Sequence, residues 1–408
     1  MTESTNARRL SLLLAAAVFI NFVDRGNLAT AAPVVAKELH LSATQIGILL
    51  SSFYWTYAVS QLGAGWLAER YPVQRVIAAG FALWCVATIL TGFASTFAAL
   101  LVLRLILGLG ESVAFPCSSK MLAENVSVTR RGRSNGDIAI GLALGPAFGT
   151  YVGGMVLARY GWRALFISLG ALSLLWLIPW LTGPARTLPA RRVESADTGP
   201  AFLDIISKRA ALGAGLGHFC ANYIFYFVLS WLPYYLVEVR GYSLTRMATI
   251  GGLTYVMHAV GAWCTGFVVD RRIERGDSPH RVYARTLVIS HIGSAVCLVG
   301  VLLGGPHLLE ASLLAVGFTF GLASPMLYAV GQLLAGPKAA GRWIGFQGAV
   351  GNTAGIFGPA ITGFLVDRTG SFYSAFGLAI AVSLVGVLAW TVVIPRIEPV
   401  RWELAPAA

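Results

Sequence analysis

Long apolar runs recur along this sequence and constrain its fold more than any other feature. A run of about 20 apolar residues can cross a bilayer as an α-helix, which satisfies its backbone hydrogen bonds internally. The chain is 56% hydrophobic and 12% charged, whereas an ordinary soluble domain carries about 25% charged residues. We therefore predict an all-α integral membrane protein with twelve transmembrane spans: 10–36, 44–68, 75–95, 97–123, 133–158, 162–183, 210–237, 246–270, 282–303, 306–334, 339–366 and 372–394.

Basic residues gather on one side of the predicted spans. Most arginines and lysines fall at the two termini, after span 6 and in the loops that follow the other even-numbered spans. Because cytoplasmic loops are enriched in these residues, both termini are expected to be cytoplasmic. The same bias explains the net charge of +12, so we expect a lipid bilayer as partner and no nucleic acid.

The longest polar stretch divides the predicted spans into two sets of six. It contains three prolines and several charges. We predict an N-terminal six-helix bundle over 1–183, a cytoplasmic linker over 184–209 and a C-terminal six-helix bundle with a short cytoplasmic tail over 210–408.

Four of the spans end in a similar pattern, in which a glycine is followed by apolar residues and then by charged residues. The four stretches are GWLAERYPVQR, GGMVLARYGWR, GFVVDRRIERG and GFLVDRTGSFY. One copy would mark an ordinary helix end, whereas four at matching positions favour an internal repeat. Inverted three-helix repeats within two parallel halves are typical of secondary transporters. The charges after spans 2 and 8 predict a conformational latch formed by Gly65, Glu69, Arg70, Arg75, Asp270 and Arg271.

Four charged residues lie well inside predicted spans 1 and 4, where such groups are costly and usually functional. They are Asp24, Arg25, Arg104 and Glu111. The last two are seven residues apart, so they share a helix face but are separated by roughly 10 Å along the axis. Each should therefore find a partner on another helix. The quartet is neutral when both acids are ionised, and protonation of one acid would attract an anion. A static network of ion pairs is the alternative.

The chain resembles the major facilitator superfamily over essentially its whole length. The stretch 65–75 is similar to that superfamily's loop signature after helix 2, although Glu69 replaces the usual Asp and Pro72 stands where Gly is usual. NFVDRGNLATAAP, FYWTY, RLILGLGESVAFP and GNTAGIFGPAITGFLVD resemble the anion:cation symporter family. Sugar-acid and aromatic-acid permeases and sialin belong to that family.

This resemblance implies a role for each intramembrane charge. Asp24 and Glu111 match the family's proton-coupling acids, and Arg25 matches the arginine that meets the substrate carboxylate. Arg104 matches the base associated with the span 4 acid, and Tyr57 matches a tyrosine that faces the substrate.

Further polar residues within the spans are candidates for substrate binding, although packing or an interfacial aromatic belt is the ordinary alternative for each. These are Tyr54, Asn222, Tyr226, His258, Ser324, Gln347 and Asn352. Leu142 and Gly348 stand near positions where sugar-acid members tend to carry Gln and Asn. Because buried hydroxyls need partners, we favour a less hydroxylated carboxylate, either aromatic or short-chain.

The predicted function is proton-coupled symport of a small organic anion by alternating access. The alternatives are an exporter or antiporter of the same superfamily and a non-transporting membrane sensor. The five cysteines show no metal-ligand spacing, and no catalytic set is found, so neither an enzyme nor a cofactor is predicted. A monomer in a bacterial inner membrane is expected.

Overall fold

Helices make up all of the regular structure in the parts of the chain that the computed structural model describes. These parts are residues 3–126, 128–183, 200–336 and 339–402. The predicted all-α fold class is confirmed. The α-helices are α1 Glu3–Glu38, α2 Ala43–Arg70, α3 Val73–Thr91, α4 Phe97–Glu111, α5 Ala114–Asn125, α6 Val128–Leu174, α7 Leu177–Thr182, α8 Phe202–Ile206, α9 Arg209–Tyr234, α10 Leu244–Glu274, α11 Pro279–Leu303, α12 Pro306–Ala335, α13 Ala340–Thr369 and α14 Tyr373–Leu388. Short π-helical segments, Tyr235–Val239 and Ala389–Val393, extend α9 and α14.

The predicted spans correspond to these helices with two differences. Within the described residues, ten stretches are long and apolar enough to cross a bilayer. One of them contains predicted spans 5 and 6, which join at Gly161 with φ 81° and ψ 171°. Helix α2, with 28 residues, matches predicted span 2.

Span 4, predicted as one helix, is interrupted directly after Glu111. Helix α4 ends there, and α5 begins at Ala114. Pro116 explains the break, because a proline has no N–H for the carbonyl four residues earlier and its ring clashes with that carbonyl. The interruption therefore places Glu111 at the end of a helix.

The chain forms two compact units. The first comprises Met1–Glu194 with Leu229–Tyr255, and the second comprises Ser195–Val228 with Val256–Ala408. Most of the predicted linker, 184–199, lies outside the described residues. Its final part contains the short helix α8. The division into domains at 184–209 remains a prediction.

Close packing of α1 against α6 organises the first unit. A Cβ atom at Gly145 of α6 would lie 2.6 Å from Cβ of Phe22 and 2.8 Å from the carbonyl oxygen of Phe19. Gly141 and Gly149, one turn away on either side, approach the α1 backbone in the same way. Small residues at this spacing allow membrane helices to approach closely. The contact fixes the part of α1 that carries the predicted charged residues.

The segment Leu229–Tyr255 also packs within the first unit. Lys37 at the end of α1 forms a 3.0 Å ion pair with Glu238. A Cβ atom at Gly251 would lie 2.8 Å from Cγ2 of Thr150, and Gly154 is pressed against Ala248. Helix α6 and the first turns of α10 are therefore in close contact.

In the second unit, the chain after α14 covers the end of α12. The backbone N–H of Val400 donates to the carbonyl of Leu334 at 2.8 Å. The indole N–H of Trp402 donates to the carbonyl of Ala335, also at 2.8 Å. The last carbonyls of a helix have no partner within that helix, so these two bonds cap the C-terminal end of α12.

Candidate functional site

Helix α1 carries a buried polar turn that contains Asn21, Asp24 and Arg25. Residues four apart lie on one face of a helix. Accordingly, Nη2 of Arg25 donates to Oδ1 of Asn21 at 3.0 Å. The predicted substrate-binding arginine is therefore oriented by its own helix.

An ion pair joins α1 to α4. Nη2 of Arg25 lies 3.3 Å from Oε2 of Glu111, whose side chain is 0% exposed. The sequence predicted that Glu111 has a partner on another helix, and the structure brings Arg25 to it. Removing one partner of a buried ion pair strongly destabilises the folded protein, because the remaining charge is left uncompensated.

Three aromatic rings surround the Arg25 guanidinium. The carbon Cζ lies 4.4 Å from the ring centroid of Phe22, 5.0 Å from that of Phe53 and 4.6 Å from that of Tyr57. Phe53 and Tyr57 stack with centroids 5.1 Å apart. Aromatic faces attract cations, so this cage stabilises the guanidinium without occupying its N–H groups.

Arg104 also lies beside Phe53, one of the rings around Arg25. Its Cζ is 5.2 Å from the Phe53 centroid, and its Nε donates to the carbonyl of Leu49 on α2 at 3.4 Å. Within the part of the chain that the structure describes, Arg104 and Glu111 form no ion pair. Their axial separation, inferred from the spacing, accounts for this.

Asp24 completes the buried quartet. Its Oδ1 accepts a hydrogen bond from Nδ2 of Asn27 at 3.1 Å. Its Oδ2 has no hydrogen-bond partner among the described residues, and the indole of Trp84 on α3 lies beside it outside hydrogen-bond geometry. Asp24 lies close enough to Glu111 and Arg104 to interact electrostatically with both. The four charges therefore form one electrostatic group.

Tyr54 and Asn222 complete the candidates on α2 and α9. The side chain of Tyr54 is buried, with its ring 5.0 Å from that of Phe53 in an edge-on arrangement. Asn222 is half-buried in the second unit.

Two polar pairs lie in the second unit. The hydroxyl of Tyr226 donates to Oδ1 of Asn352 at 2.9 Å. Nε2 of His258 lies 2.8 Å from Oγ of Ser324, and the imidazole stacks on Phe320 with centroids 4.7 Å apart. The structure thus brings four of the predicted substrate-binding residues together in two pairs, and their role remains a prediction.

Gln347 has its amide occupied by neighbours in the second unit. Its Nε2 donates to the carbonyl of Leu327 at 2.8 Å and lies 3.3 Å from Nδ1 of His218. Its Oε1 accepts from the indole of Trp343 at 3.2 Å. With these bonds formed, Gln347 links α9, α12 and α13, and a substrate would have to displace one of them.

The predicted latch residues lie at helix ends. Arg70, Arg75, Asp270 and Arg271 are exposed, whereas Gly65 and Glu69 lie outside the residues whose side chains the structure describes. Lys120 of α5, which sequence analysis missed, donates to the carbonyl of Ala68 at 2.7 Å near the end of α2. It also pairs with Glu124 at 3.6 Å.

Most of the neighbours of the charged quartet were not predicted from the sequence. Asn21 lies four residues before Arg25, Asn27 three after Asp24, and Phe53 four before Tyr57. Helical spacing therefore contained the signal for these three. Trp84 approaches from α3, and no local spacing connects it to Asp24.

Known proteins share both the sequence and the fold of this chain. The Major Facilitator Superfamily model matches residues 14–357 and 285–408. A hexuronate transporter from Bacillus subtilis is 30% identical over 391 residues, which cover 91% of this chain and 92% of that protein. A probable sulfoacetate transporter from Cupriavidus necator is 31% identical over 389 residues, covering 91% and 90%.

Among solved structures, a bacterial homologue of the human lysosomal transporter Spinster superposes with a TM-score of 0.82 at 17% identity. The match covers 98% of this chain and 99% of that one. Fold, family model and relatives agree on a multi-pass membrane transporter rather than an enzyme. The chain belongs to the Major Facilitator Superfamily, and it groups there with the anion permeases.

Proposed function

We propose that this chain is a proton-coupled symporter of a small organic anion, and that Arg25 exchanges Glu111 for the substrate carboxylate. The contact between Nη2 of Arg25 and Oε2 of Glu111 carries the proposal. A guanidinium binds carboxylates through planar, charge-assisted hydrogen bonds. The internal carboxylate therefore occupies the kind of site that a substrate carboxylate requires.

Proton binding provides the coupling. While Glu111 is ionised, a substrate must compete with it for Arg25. Protonation of Glu111 weakens that contact and changes the charge of the quartet from zero to +1, which favours entry of an anion. By linkage, a bound anion must favour the proton to the same extent. The proton gradient would then drive uptake without a cofactor.

Asp24 is proposed as a second proton-coupling acid. Its Oδ2 lacks a hydrogen-bond partner among the described residues, and it interacts electrostatically with Glu111. Like charges in a shared site disfavour simultaneous ionisation. The two acids should therefore titrate as a coupled pair rather than independently.

The surroundings of Arg25 support a substrate with few hydroxyl groups. Phe22 and Phe53 offer no hydrogen-bonding atoms, and Tyr57 offers one hydroxyl. Buried hydroxyls without partners are costly, so a short or aromatic carboxylate fits these walls better than a sugar acid. The relatives include a hexuronate transporter and a probable sulfoacetate transporter, so glucuronate and sulfoacetate are informative test compounds.

Transport in proteoliposomes with an imposed pH gradient tests the coupling. We expect accumulation of the anion with the wild type and its loss in Glu111→Gln and Asp24→Asn, while substrate exchange without a gradient persists in Glu111→Gln. Glu398→Gln, which changes an exposed acid outside the quartet, is the matched control. Gradient-driven accumulation at the wild-type rate in Glu111→Gln would remove the proposed coupling. Proton-driven efflux against the anion gradient would instead support the exporter or antiporter.

The proposal also includes the orientation of the chain, its membrane and its oligomeric state. The distribution of basic residues supports cytoplasmic termini, and the bacterial relatives support a bacterial inner membrane. A monomer suffices, because the four charges all lie in one chain. Protease accessibility of tagged termini in oriented vesicles tests the orientation.

A further inference from the structure

The exposed face of α10 changes from apolar to basic at its end. Trp263, Phe267 and Arg271 are spaced by four residues and so lie on one helix face. The first two are 72% and 56% exposed, and their rings stack with centroids 6.2 Å apart. Cζ of Arg271 lies 5.7 Å from the Phe267 centroid. This face presents an aromatic surface to lipid with a guanidinium at its edge.

Helix α11 repeats the arrangement in the reverse direction. Arg281, Arg285 and Ile289 are spaced by four residues, and Val296 continues the same face two turns later. Ile289 and Val296 are 59% and 65% exposed, and both arginines are exposed. The basic end of this face is the first part of α11.

The short connection between these helices brings their basic ends together. Only residues 275–278 separate α10 from α11, and Gly276, with φ 93°, makes the turn. The other faces of both helix ends, including Val269 and Val282, belong to one buried cluster. The arginines therefore point away from the protein core at a single site.

The guanidinium groups at this site are not engaged in ion pairs with neighbouring acids that the structure describes. Five exposed arginines, Arg271, Arg272, Arg275, Arg281 and Arg285, occur there against three acids. Within the described ranges, none of the five lies within ion-pair distance of an acid. A surface with unpaired basic groups next to exposed apolar helix faces matches a ligand that has an anionic head and apolar chains.

We propose that the end of the α10–α11 hairpin is a binding site for an anionic phospholipid. Arg271 and Arg285 hold the phosphate, because a guanidinium donates two parallel hydrogen bonds to phosphate oxygens. The acyl chains lie along Trp263, Phe267 and Ile289. Basic clusters next to membrane-spanning helices attract anionic headgroups.

Native mass spectrometry of the full chain in detergent tests the site with dioleoyl phosphatidylglycerol and dioleoyl phosphatidylcholine as probes. We expect preferential retention of phosphatidylglycerol, reduced roughly 25-fold in the double variant Arg271→Gln, Arg285→Gln, because each basic residue near an anionic headgroup contributes about fivefold. The matched control is Arg396→Gln, Arg401→Gln, which removes two exposed charges of the same unit. It should retain the lipid as the wild type does.

Three outcomes would overturn the proposal. One is equal retention of the two lipids, and another is an equal loss in both double variants, which would indicate a general charge effect. The third is displacement of phosphatidylglycerol by millimolar inorganic phosphate, which would indicate a site for free anions. Thermal unfolding of each variant in detergent identifies any misfolded protein. If Arg271→Gln, Arg285→Gln is misfolded, the charge-conserving variant Arg271→Lys, Arg285→Lys replaces it. We expect this variant to show an intermediate loss of phosphatidylglycerol retention. Retention at the wild-type level would contradict the role of the guanidinium.

Discussion

At the scale of single residues, Arg25 combines requirements that no other side chain meets. Its guanidinium donates to Asn21 and Glu111 while three aromatic rings cover it. A planar fork can bond at its edges and stack on its faces at the same time. This geometry can hold the arginine in place during the proposed exchange of Glu111 for the substrate carboxylate.

Arg25→Lys is expected to weaken anion binding although the charge is conserved. An ammonium group cannot form the planar fork, and hydrogen bonds to charged groups are worth about 1.5–3 kcal/mol each. A rise of roughly tenfold or more in the Kd of the transported anion should follow, measured by titration calorimetry on purified protein. Arg396→Lys, on the exposed surface, is the control. Unchanged binding in Arg25→Ala would refute the role of Arg25.

Phe53→Leu tests the aromatic wall that Arg25 and Arg104 share. Leucine keeps the site apolar at modest cost, about 1.5 kcal/mol or less, but removes the ring near both guanidinium groups. We expect the Kd for the anion to rise several-fold with only a small fall in Tm. Phe166→Leu, a buried phenylalanine of α6 outside the quartet, should lower Tm similarly and leave Kd unchanged. The same Kd change in both variants would contradict a specific role for Phe53.

At the scale of helices, a single residue separates predicted spans 5 and 6. Gly161 has backbone angles that are essentially restricted to glycine, and this residue turns the chain between predicted spans 5 and 6. Directly after it, the Trp162 indole donates to Glu38 at 2.6 Å, and Arg163 pairs with the same acid. The turn therefore ties the start of span 6 to the end of α1.

Gly161→Ala is expected to destabilise the protein by about 1–3 kcal/mol, because alanine is strained at this φ and ψ. No heavy atom beyond the neighbouring residues lies within 4 Å of an added Cβ, so the cost comes from the backbone alone. Gly266→Ala is the control, since it has the same free space but helical angles. There, alanine should be neutral or stabilising by up to about 1 kcal/mol. A Tm for Gly161→Ala at or above that of the wild type would show that the turn relaxes.

The sequence predicted the existence of the helices better than their interruptions. Hydropathy reports whether a segment suits lipid, and the break before Pro116 leaves the hydropathy unchanged, so span 4 was predicted as one helix, whereas the boundary between spans 5 and 6 was placed at Gly161. The candidate site shows the same limit. Spacing along α4 predicted that Glu111 has a partner elsewhere, yet tertiary packing alone determines that this partner is Arg25. Likewise, no sequence pattern shows that neighbouring groups occupy the amide of Gln347.

At the scale of the whole molecule, the packing units do not follow the midpoint of the chain. Leu229–Tyr255, which was predicted to belong to the C-terminal bundle, packs in the first unit with the C-terminal end of α1 and the middle of α6. An alternating-access transporter must open and close contacts of this kind. The contacts of Gly154 with Ala248 and of Lys37 with Glu238 therefore mark a place where the proposed transport cycle can be tested.

Gly154→Leu is expected to slow transport without weakening anion binding. A side chain at this position would overlap Ala248, so the contact between α6 and α10 could no longer close, whereas Arg25 and its neighbours are untouched. We expect a several-fold fall in kcat with an unchanged Kd. Disulfide formation in the double variant Lys37→Cys, Glu238→Cys should also fall when Gly154→Leu is added. Gly377→Leu, at an exposed glycine of α14 with free space around it, should change neither measurement. Full transport with reduced cross-linking would show that this contact is not part of the cycle.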